Sequence, residues 1–511
     1  MTSINRRHFL KMIGAGLLAA PGCSTPQKVM QLVTKPNILW IVAEDLSPWM
    51  GCYGDEVNKD YTPTIDKLAA DGVLFKRAYA MAPVCSPIRS ALITGVMQTT
   101  TGTHQHRSSR TTDGQVVPEE LRIHLLKNVK TLPELMKANG YFTFNSGKDD
   151  YNFHYDRRAL YDVGTSSDYQ AGMNGWQGNR AKHSKSYTQD VWGSRPDKDQ
   201  PWFGQIQIDG GKGDRRYISK SDYVDHHDVE LPPYFPDTPA LREAWAVHYD
   251  NARGSDARIF SILKQLEADG ELDNTIVFFF SDHGCNTSLR HKQFCYEGGL
   301  HVPLIIAGNH PLIKAGSVVN DLVSLLDVTA TTLALAGVEL ADYLEGQDFF
   351  GSNYKPAEYI VGARDRCDYT IDRIRSIRTD KFRYIRNYYP KRPLMQPAYR
   401  DNHPASQDLR RLYKEGNLTE YQAEHWFGVR PEEEFYDLGA DPHQMNNLAS
   451  VPHFQDELRR HRRLFDEWIE RTDDQGQYPE SAVQLKATFE LWKDRPIFRD
   501  AKVNPEYDQF R

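Results

Sequence analysis

Apolar runs that end abruptly at polar residues recur along the chain. One run occupies residues 36–43 and stops at Glu44 and Asp45, and another occupies residues 274–280 and ends just before Asp282. Uninterrupted apolar runs of this length are typical of strands buried inside a parallel sheet. Polar side chains therefore collect where these strands end.

Segments with the spacing of amphipathic helices separate the apolar runs. We predict helices within residues 62–72, 131–140, 240–266 and 321–337. Strands that alternate with helices predict an open α/β sheet, mostly parallel, with its ligand site at the carboxyl edge of the strands. Residues 152–235, rich in Gly, Asp and Tyr, are predicted to form an irregular insertion around that site.

The pattern changes at about residue 358, where closely spaced strand candidates precede a loop-rich stretch and a helix. This arrangement predicts a smaller α+β domain with an antiparallel sheet. We therefore predict a catalytic domain over residues 36–357, an α+β domain over residues 358–472 and a tail over residues 473–511. A chain of 511 residues is long enough for two such domains.

The first residues have the pattern of an export signal. The stretch Asn5–Lys11 contains paired arginines, and an apolar run leads from it to Cys23. We predict a twin-arginine signal over residues 1–23 and a periplasmic or secreted protein. Two alternatives remain for Cys23, a lipid-acceptor cysteine that anchors the protein or simple cleavage of the signal. No later segment reaches the roughly 18 apolar residues of a membrane span.

Charge and cysteine content narrow the function. The net charge of -7 argues against a nucleic-acid-binding protein. The cysteines that follow the signal are odd in number, so one thiol either stays free or serves in chemistry. They are Cys52, Cys85, Cys285, Cys295 and Cys367.

The polar residues at two strand ends suggest a cation site. Glu44 and Asp45 follow one strand, and Asp282 and His283 follow another. Oxygen ligands of this kind select Ca²⁺ or Mg²⁺. The alternative is that the acids cap solvated turns and that the histidine is a structural hydrogen-bonding group.

An anion site is suggested by three other short stretches. Cys85, Pro87 and Arg89 form a C-x-P-x-R pattern at the predicted start of a helix, where anions and a lowered cysteine pKa are favoured. Cys85 is then a buried spacer, a thiol nucleophile or the precursor of a modified residue. Lys148 and Lys292 follow glycine-bounded or strand-end positions, where an ammonium group can bind an anion. The alternative for each lysine taken alone is an ordinary surface position.

Six stretches occur along the chain in the order NILWIVAEDLSP, CSPIRSALITG, SGK, SDHG, KQFCYEGGLHVPLII and FYDLGADPHQMNNLA. Together they resemble the formylglycine-dependent type I sulfatases of the alkaline-phosphatase superfamily, including its polysaccharide sulfatases. The resemblance covers residues 36–472. It implies a large alkaline-phosphatase-like domain and the hydrolysis of sulfate esters.

The resemblance also implies a role for each strand-end and helix-start residue. Cys85 becomes formylglycine through a formylglycine-generating enzyme, and Arg89 steadies that group. Lys148 and Lys292 neutralise the charge of the sulfate. The implied ligands of Ca²⁺, with Mg²⁺ as the alternative, are Glu44, Asp45, Asp282 and His283.

The chain departs from the family pattern at two histidines that assist the nucleophile and protonate the leaving oxygen. Asp150 occupies one of these places, and Asp209 or a neighbouring glycine occupies the other. The candidates to replace them are His104, His106, His301 and Lys292. We predict that His104 takes over as a catalytic residue of the substrate pocket, and that His106 and His301 bind substrate. Other roles for the His-x-His pair are a transition-metal site and a purely structural one.

A basic stretch over residues 362–392, with interleaved tyrosines, bears on the substrate. One interpretation is a subsite for an anionic sugar chain, with Arg364 and Arg366 pointing at the site, and the other is the wet face of a sheet. Export and local basic charge favour a sulfated polysaccharide or oligosaccharide, such as carrageenan, ulvan or a glycosaminoglycan. The alternatives are a phosphonate or phosphate diester hydrolase and a non-catalytic protein that binds sulfated glycans.

Overall fold

An eight-stranded sheet forms the centre of the computed structural model. Its spatial order is β3-β4-β1-β5-β7-β2-β6, with β8 paired to β2. Strands β3, β4, β1 and β5 are mutually parallel, whereas β7 runs antiparallel to its neighbours β5 and β2. The strands are β1 (Asn37–Ala43), β2 (Gly72–Tyr79), β3 (Phe142–Ser146), β4 (Trp202–Ile208), β5 (Thr275–Ser281), β6 (His301–Val302), β7 (Leu304–Ala307) and β8 (Ser317–Ser324).

The structure describes residues 35–108, 118–163, 191–286, 289–494 and 504–511. The predicted twin-arginine signal, with Cys23, lies outside these ranges. Residues Pro36–Arg511 form one compact unit.

Helices cover the sheet, and its side chains form apolar clusters on both faces. On one face the Trp40 indole meets Phe203 and Phe280 edge-on, whereas Leu39 and Ile41 belong to the other cluster. Within the described ranges, no helix is both long and apolar enough to cross a bilayer. The helices are Pro63–Ala70, Cys85–Thr94, Leu132–Ala138, Arg157–Leu160, Pro239–Ala268, Glu297–Leu300, Leu326–Leu335, Pro404–Glu415, Glu420–Phe427, Gln455–Thr472 and Ala482–Trp492.

Two predicted elements differ from the structure. Residues 152–235 are not wholly irregular, because they contain β4, which lies inside the sheet between β3 and β1. Its apolar pattern is broken by Gln205 and Gln207, both buried and hydrogen-bonded to polar neighbours. The helix predicted over residues 321–337 starts only at Leu326, because the preceding residues belong to β8.

A second sheet follows the first along the chain. It is antiparallel with the order β12-β11-β10-β9, which confirms the predicted fold class. The helix Gln455–Thr472 packs Leu458, Phe465 and Trp468 into the same apolar cluster as Tyr384 of β11. The predicted boundaries at residues 358 and 473 stay predictions. The strands are β9 (Ile360–Arg364), β10 (Ile374–Arg378), β11 (Phe382–Asn387) and β12 (Glu433–Asp437).

The basic stretch over residues 362–392 forms neither an open subsite nor a wet sheet face. Its arginines are largely buried and paired with acids, some within the stretch and others far along the chain. Arg364 pairs with Asp372 at 3.1 Å, and Arg366 pairs with Glu480 at 2.6 Å. Each guanidinium is held in a buried ion pair, and the substrate-binding role of these two arginines stays a prediction.

Replacing Arg375 by alanine is expected to lower the free energy of unfolding by about 3–5 kcal/mol. Its guanidinium bridges Asp365 at 3.1 Å and Asp474 at 2.8 Å, and its removal leaves two buried carboxylates without a counter-charge. Urea unfolding measures the change. The matched control is Arg411→Ala, at an exposed ion pair with Asp408, where a change of about 0.5 kcal/mol or less is expected. Equal losses in both variants would contradict the prediction.

Candidate active site

Cys85 opens the helix Cys85–Thr94, and Pro87 lies in the same first turn. Proline is favoured there because the first helical N–H groups have no partner within the helix. The N-terminus of a helix carries partial positive charge and favours anions. The Cys85 side chain is only 1% exposed. Any group attached at this position is therefore enclosed by the protein.

Four charged or polar side chains surround the Cys85 thiol. Its Sγ lies 3.4 Å from His283 Nε2 and 3.4 Å from Lys292 Nζ. The carboxylate oxygens of Glu44 and Asp45 lie 3.6 Å and 3.9 Å from the same sulfur. The predicted nucleophile, metal ligands and one predicted lysine thus meet at a single point.

The register of the sheet brings the two acidic strand ends together. Ala43 at the end of β1 pairs with Ser281 at the end of β5, so the residues that follow each strand emerge side by side. The backbone N–H of Asp45 donates to Asp282 at 3.0 Å, and His283 Nε2 lies 3.1 Å from the Asp45 carboxylate. The expected convergence at the carboxyl edge is present.

The loop after β4 closes the site from a third direction. Gly211 donates its N–H to the Glu44 carbonyl at 2.7 Å, and a Cβ on Gly211 would lie only 1.9 Å from the Asp45 carbonyl oxygen. Only glycine permits this approach. The next residue, Lys212, then reaches the carboxylate of Glu44. The Lys212 side chain is 29% exposed, so solvent reaches the site beside this lysine.

One buried group of donors has the spacing of a metal site. The donor atoms of Asp45, Asp282, His283 and Cys85 all lie within 4.8 Å of one another. His283 Nδ1 is 2.9 Å from the Gly284 carbonyl, which can only accept, so the Nε2 lone pair remains for a ligand. Carboxylate oxygens with one imidazole fit a divalent cation.

The lysines balance the acids. Lys292 Nζ lies 2.8 Å from both carboxylate oxygens of Asp45. Lys148 and Lys212 both pair with Glu44, which therefore sits on the lysine side of the site. The role of Glu44 as a metal ligand stays a prediction. Three ammonium groups therefore lie beside the two acids.

Arginines fix the acids on the opposite side. Arg89 pairs with Asp282 at 2.9 Å and donates to Gln207 at 2.6 Å. Arg107 makes two hydrogen bonds to Asp150, at 3.1 Å and 3.0 Å. Paired contacts of a guanidinium hold a carboxylate in one orientation. These arginines position the acids that face Cys85.

Electrostatics favours a charged site. Burial raises the pKa of Cys85, but the ammonium groups of Lys148, Lys292 and Lys212 outweigh it and hold this pKa well below its ordinary value. Burial opposes ionisation of Asp45, yet Lys212 and Lys292 lower its pKa. Burial also opposes the charge of Lys292, but Asp45 raises its pKa well above the usual range. The site is therefore built to hold negative charge at its centre.

The sequence-family model described as Sulfatase matches residues 36–338, which include the acids, the lysines and Cys85 described above. The chain belongs to the sulfatase family. It is therefore a sulfuric ester hydrolase.

Individual relatives agree with this assignment. The sulfatase is 32% identical over 93% of its length to an ulvan-active sulfatase of Formosa agariphila, of which 81% is covered. The solved structure of a 2-O GAG sulfatase aligns with 88% of this chain and over 96% of the GAG sulfatase chain, with a TM-score of 0.58 and 21% sequence identity. The structure of a phosphonate monoester hydrolase from Silicibacter pomeroyi aligns with 86% of this chain and over 96% of the hydrolase chain, with a TM-score of 0.57 and 18% sequence identity. The fold is that of the alkaline-phosphatase-like superfamily.

One histidine of the His-x-His pair of the sulfatase, His106, lies beside Cys85. A ring nitrogen of His106, the Cys85 sulfur and an oxygen of Asp150 lie within 4.8 Å of one another. His106 Nδ1 is 3.2 Å from Asp368, and the ring is 1% exposed. The structure therefore places an imidazole beside Asp150.

The other two predicted histidines have different surroundings, and His301 lines a cavity next to the site. The charged groups that act most strongly on buried His104 are Asp365 and Arg375 of the second sheet region, and burial lowers its pKa. His301 stacks on Tyr79 and places Nε2 2.9 Å from the Lys76 carbonyl. The role of His104 as a catalytic residue of the substrate pocket stays a prediction.

Three residues of the site were not predicted from the sequence. Lys212 follows a strand and two glycines, which is the signal that identified Lys148 and would have found it once β4 was recognised. Gln207 and Arg107 carry no comparable signal. Their roles depend on contacts with Arg89 and Asp150 that only the fold creates.

Proposed function

We propose that the sulfatase is exported and hydrolyses sulfate esters of an anionic polysaccharide of the ulvan or glycosaminoglycan kind. The observation that carries the proposal is the meeting of Cys85 with Lys292, His283 and Asp45 at one buried point. The ulvan-active and GAG-active names of its relatives support the substrate class. Export by the twin-arginine route, with or without lipidation of Cys23, is part of the proposal and rests on the sequence alone.

Cys85 is the residue proposed to become formylglycine, with a formylglycine-generating enzyme as the partner in maturation. The hydrate of that aldehyde supplies two hydroxyls on one carbon, one to attack sulfur and one to lose a proton so that sulfate is expelled. The start of the helix and Lys292 favour negative charge on the attacking oxygen. Arg89 holds Asp282 in place behind it.

The lysines are proposed to bind the sulfate oxygens. Lys148, Lys212 and Lys292 approach from three different loops and point at one small volume beside Cys85. Negative charge on the sulfate oxygens and the leaving oxygen is met by positive groups that are already in position. No reorganisation is then needed when the ester bond breaks.

His106 is proposed to be the general acid. When the S–O bond to the sugar breaks, its electron pair goes to the sugar oxygen, which takes a proton from the His106 ring. Asp368, 3.2 Å from Nδ1, orients the ring. This assignment replaces the family histidine that is Asp150 here.

Asp45, Asp282 and His283 are proposed to hold Ca²⁺. A bound divalent cation polarises sulfate oxygens and favours an ionised nucleophile. Mg²⁺ is the alternative, since both ions prefer carboxylate oxygen ligands.

Calcium is expected to raise the melting temperature of the wild type and to leave that of Asp45→Asn nearly unchanged. At a hundredfold excess over Kd, binding to the folded state contributes about 2.7 kcal/mol. Thermal unfolding with CaCl₂ or EDTA measures the effect. The control is Asp225→Asn, in an exposed acid and histidine cluster, which should respond as the wild type does. Loss of the response in this control, or no response of the wild type, would contradict the site.

The proposed function is tested with the full chain co-expressed with a formylglycine-generating enzyme. We expect sulfate release from ulvan oligosaccharides and from an aryl sulfate, measured by ion chromatography. Faster cleavage of an aryl phosphodiester or phosphonate would favour the alternative hydrolase, whose fold is shared. Tight binding of ulvan without any sulfate release would favour a non-catalytic glycan-binding protein.

A further inference from the structure

A cavity of about 430 Å³ lies next to the reaction centre without including Cys85. Two of its lining residues adjoin the site in sequence: Ser47 lies two positions after Asp45, and His291 directly precedes Lys292. Its volume falls within the roughly 300–1,000 Å³ of small-molecule sites. None of the catalytic roles assigned above uses it.

A buried arginine without an ion pair in the described ranges lines this cavity, together with two glutamates, Glu230 and Glu297. Arg290 is 2% exposed, and its two terminal nitrogens donate to the carbonyl oxygens of His443 and Gln444. It forms no ion pair with any carboxylate in the described parts of the chain. Arg375 and Arg383, by contrast, are buried and paired with carboxylates. Glu297 is already paired with Arg378 and Arg383, and Glu230 is exposed, so an anion in the cavity would be the first direct ionic partner of Arg290.

Three polar atoms of lining residues lack hydrogen-bond partners among the described residues. They are Arg290 Nε, His291 Nδ1 and Gln444 Nε2, and each side chain is more than nine-tenths buried. Two of these atoms are donors. Buried polar groups are nearly always satisfied, so unpaired donors beside a cavity point to a ligand with acceptor oxygens.

Aromatic rings form the other walls of the cavity. Trp49 lies 4.8 Å from Trp245 and 4.7 Å from Tyr249, measured between ring centroids. The guanidinium of Arg290 stacks on Tyr296 at 3.8 Å, so further hydrogen bonds to it must lie in its plane. Aromatic faces with a planar cation suit a flat-sided, hydroxylated ring that carries an acidic group.

We propose that this cavity binds a second anionic sugar unit of the polysaccharide, next to the unit whose sulfate ester is cleaved. The inference rests on the proposed function, because it assumes a polymeric substrate. The anionic group, a uronate carboxylate or a second sulfate ester, accepts hydrogen bonds from Arg290 and Gln444. The sugar ring lies against Trp49. The cavity would then favour polymer over small sulfate esters.

The kinetic test compares an ulvan oligosaccharide with an aryl sulfate too small to fill the cavity. Arg290→Met and His443→Ala, the latter at an exposed lining residue, are expected to raise the KM for the oligosaccharide about tenfold or more, with a much smaller change for the aryl sulfate. The control is His453→Ala, an exposed histidine outside the cavity, which should match the wild type. An unchanged KM ratio in both cavity variants would overturn the proposal.

A binding measurement keeps the test independent of catalysis. Calorimetry of the Cys85→Ala chain with an ulvan oligosaccharide should show binding that Arg290→Met weakens about tenfold. Carboxyl-reduced and desulfated oligosaccharides identify which anionic group is recognised. Wild type that cleaves neither substrate would refute the proposed function, whereas equal binding with and without Arg290 would refute the cavity proposal alone. His443→Ala serves in the same measurement if Arg290→Met does not fold.

Discussion

Replacing Cys85 by alanine is expected to abolish sulfate release, with kcat falling by about 10⁵-fold or more. The thiol is the only side chain at the centre of the site that can become the aldehyde. Its neighbours Lys292, His283 and Asp45 are arranged around that one atom. The measurement is steady-state release of sulfate from ulvan oligosaccharides by enzyme matured in the presence of a formylglycine-generating enzyme.

Two further variants sharpen this prediction. Cys52→Ala changes a half-buried free cysteine outside the site and should leave kcat close to that of the wild type. Cys85→Ser keeps one hydroxyl, lacks the second that expels sulfate, and should release at most one equivalent of alcohol per enzyme. Sustained turnover by Cys85→Ala or Cys85→Ser would show that the nucleophile lies elsewhere.

His106→Gln is expected to lower kcat on a sugar sulfate by about 10²–10⁴-fold, the usual contribution of a general acid. On an aryl sulfate whose phenolate leaves without a proton, the loss should be less than about tenfold. This difference arises because His106 acts on the leaving oxygen and not on the sulfate. The ratio of the two rates therefore separates proton donation from a merely structural role, which would affect both substrates alike.

His104→Gln provides the comparison within the same His-x-His pair. The charged groups that act most strongly on His104 belong to the second sheet region, so any loss should be similar for both substrates. If the rate ratio changes in His104→Gln and not in His106→Gln, the sequence-based choice of His104 is right and the assignment from the structure is wrong.

The strand-end acids could be predicted because their meeting follows from local pattern and sheet topology. An apolar run that stops at Glu44 and Asp45 and another that stops at Asp282 must place their ends at one edge if both strands are parallel. The register of β1 and β5 confirms this edge. The helix that begins at Cys85 could also be predicted, because Pro87 is typical of the first turn of a helix.

Other parts of the site depend on contacts that no local pattern records. His106 meets Asp368 across more than two hundred residues of chain, and the choice between His104 and His106 required that contact. The burial of the basic stretch over residues 362–392 could not be predicted for the same reason. Arg375, for example, pairs with Asp474, which lies in a segment predicted to be a tail. Lys212 was hidden because buried glutamines interrupt the apolar pattern of β4.

The most direct test of the account is the mass of the tryptic peptide Ala78–Arg89, which contains Cys85 and no other cysteine. The full chain is co-expressed with a formylglycine-generating enzyme, and a sulfatase known to be converted is processed in parallel. Conversion of the thiol to an aldehyde predicts a loss of about 18 Da from this peptide. An unmodified peptide, under conditions that convert the reference sulfatase, would contradict the proposed mechanism.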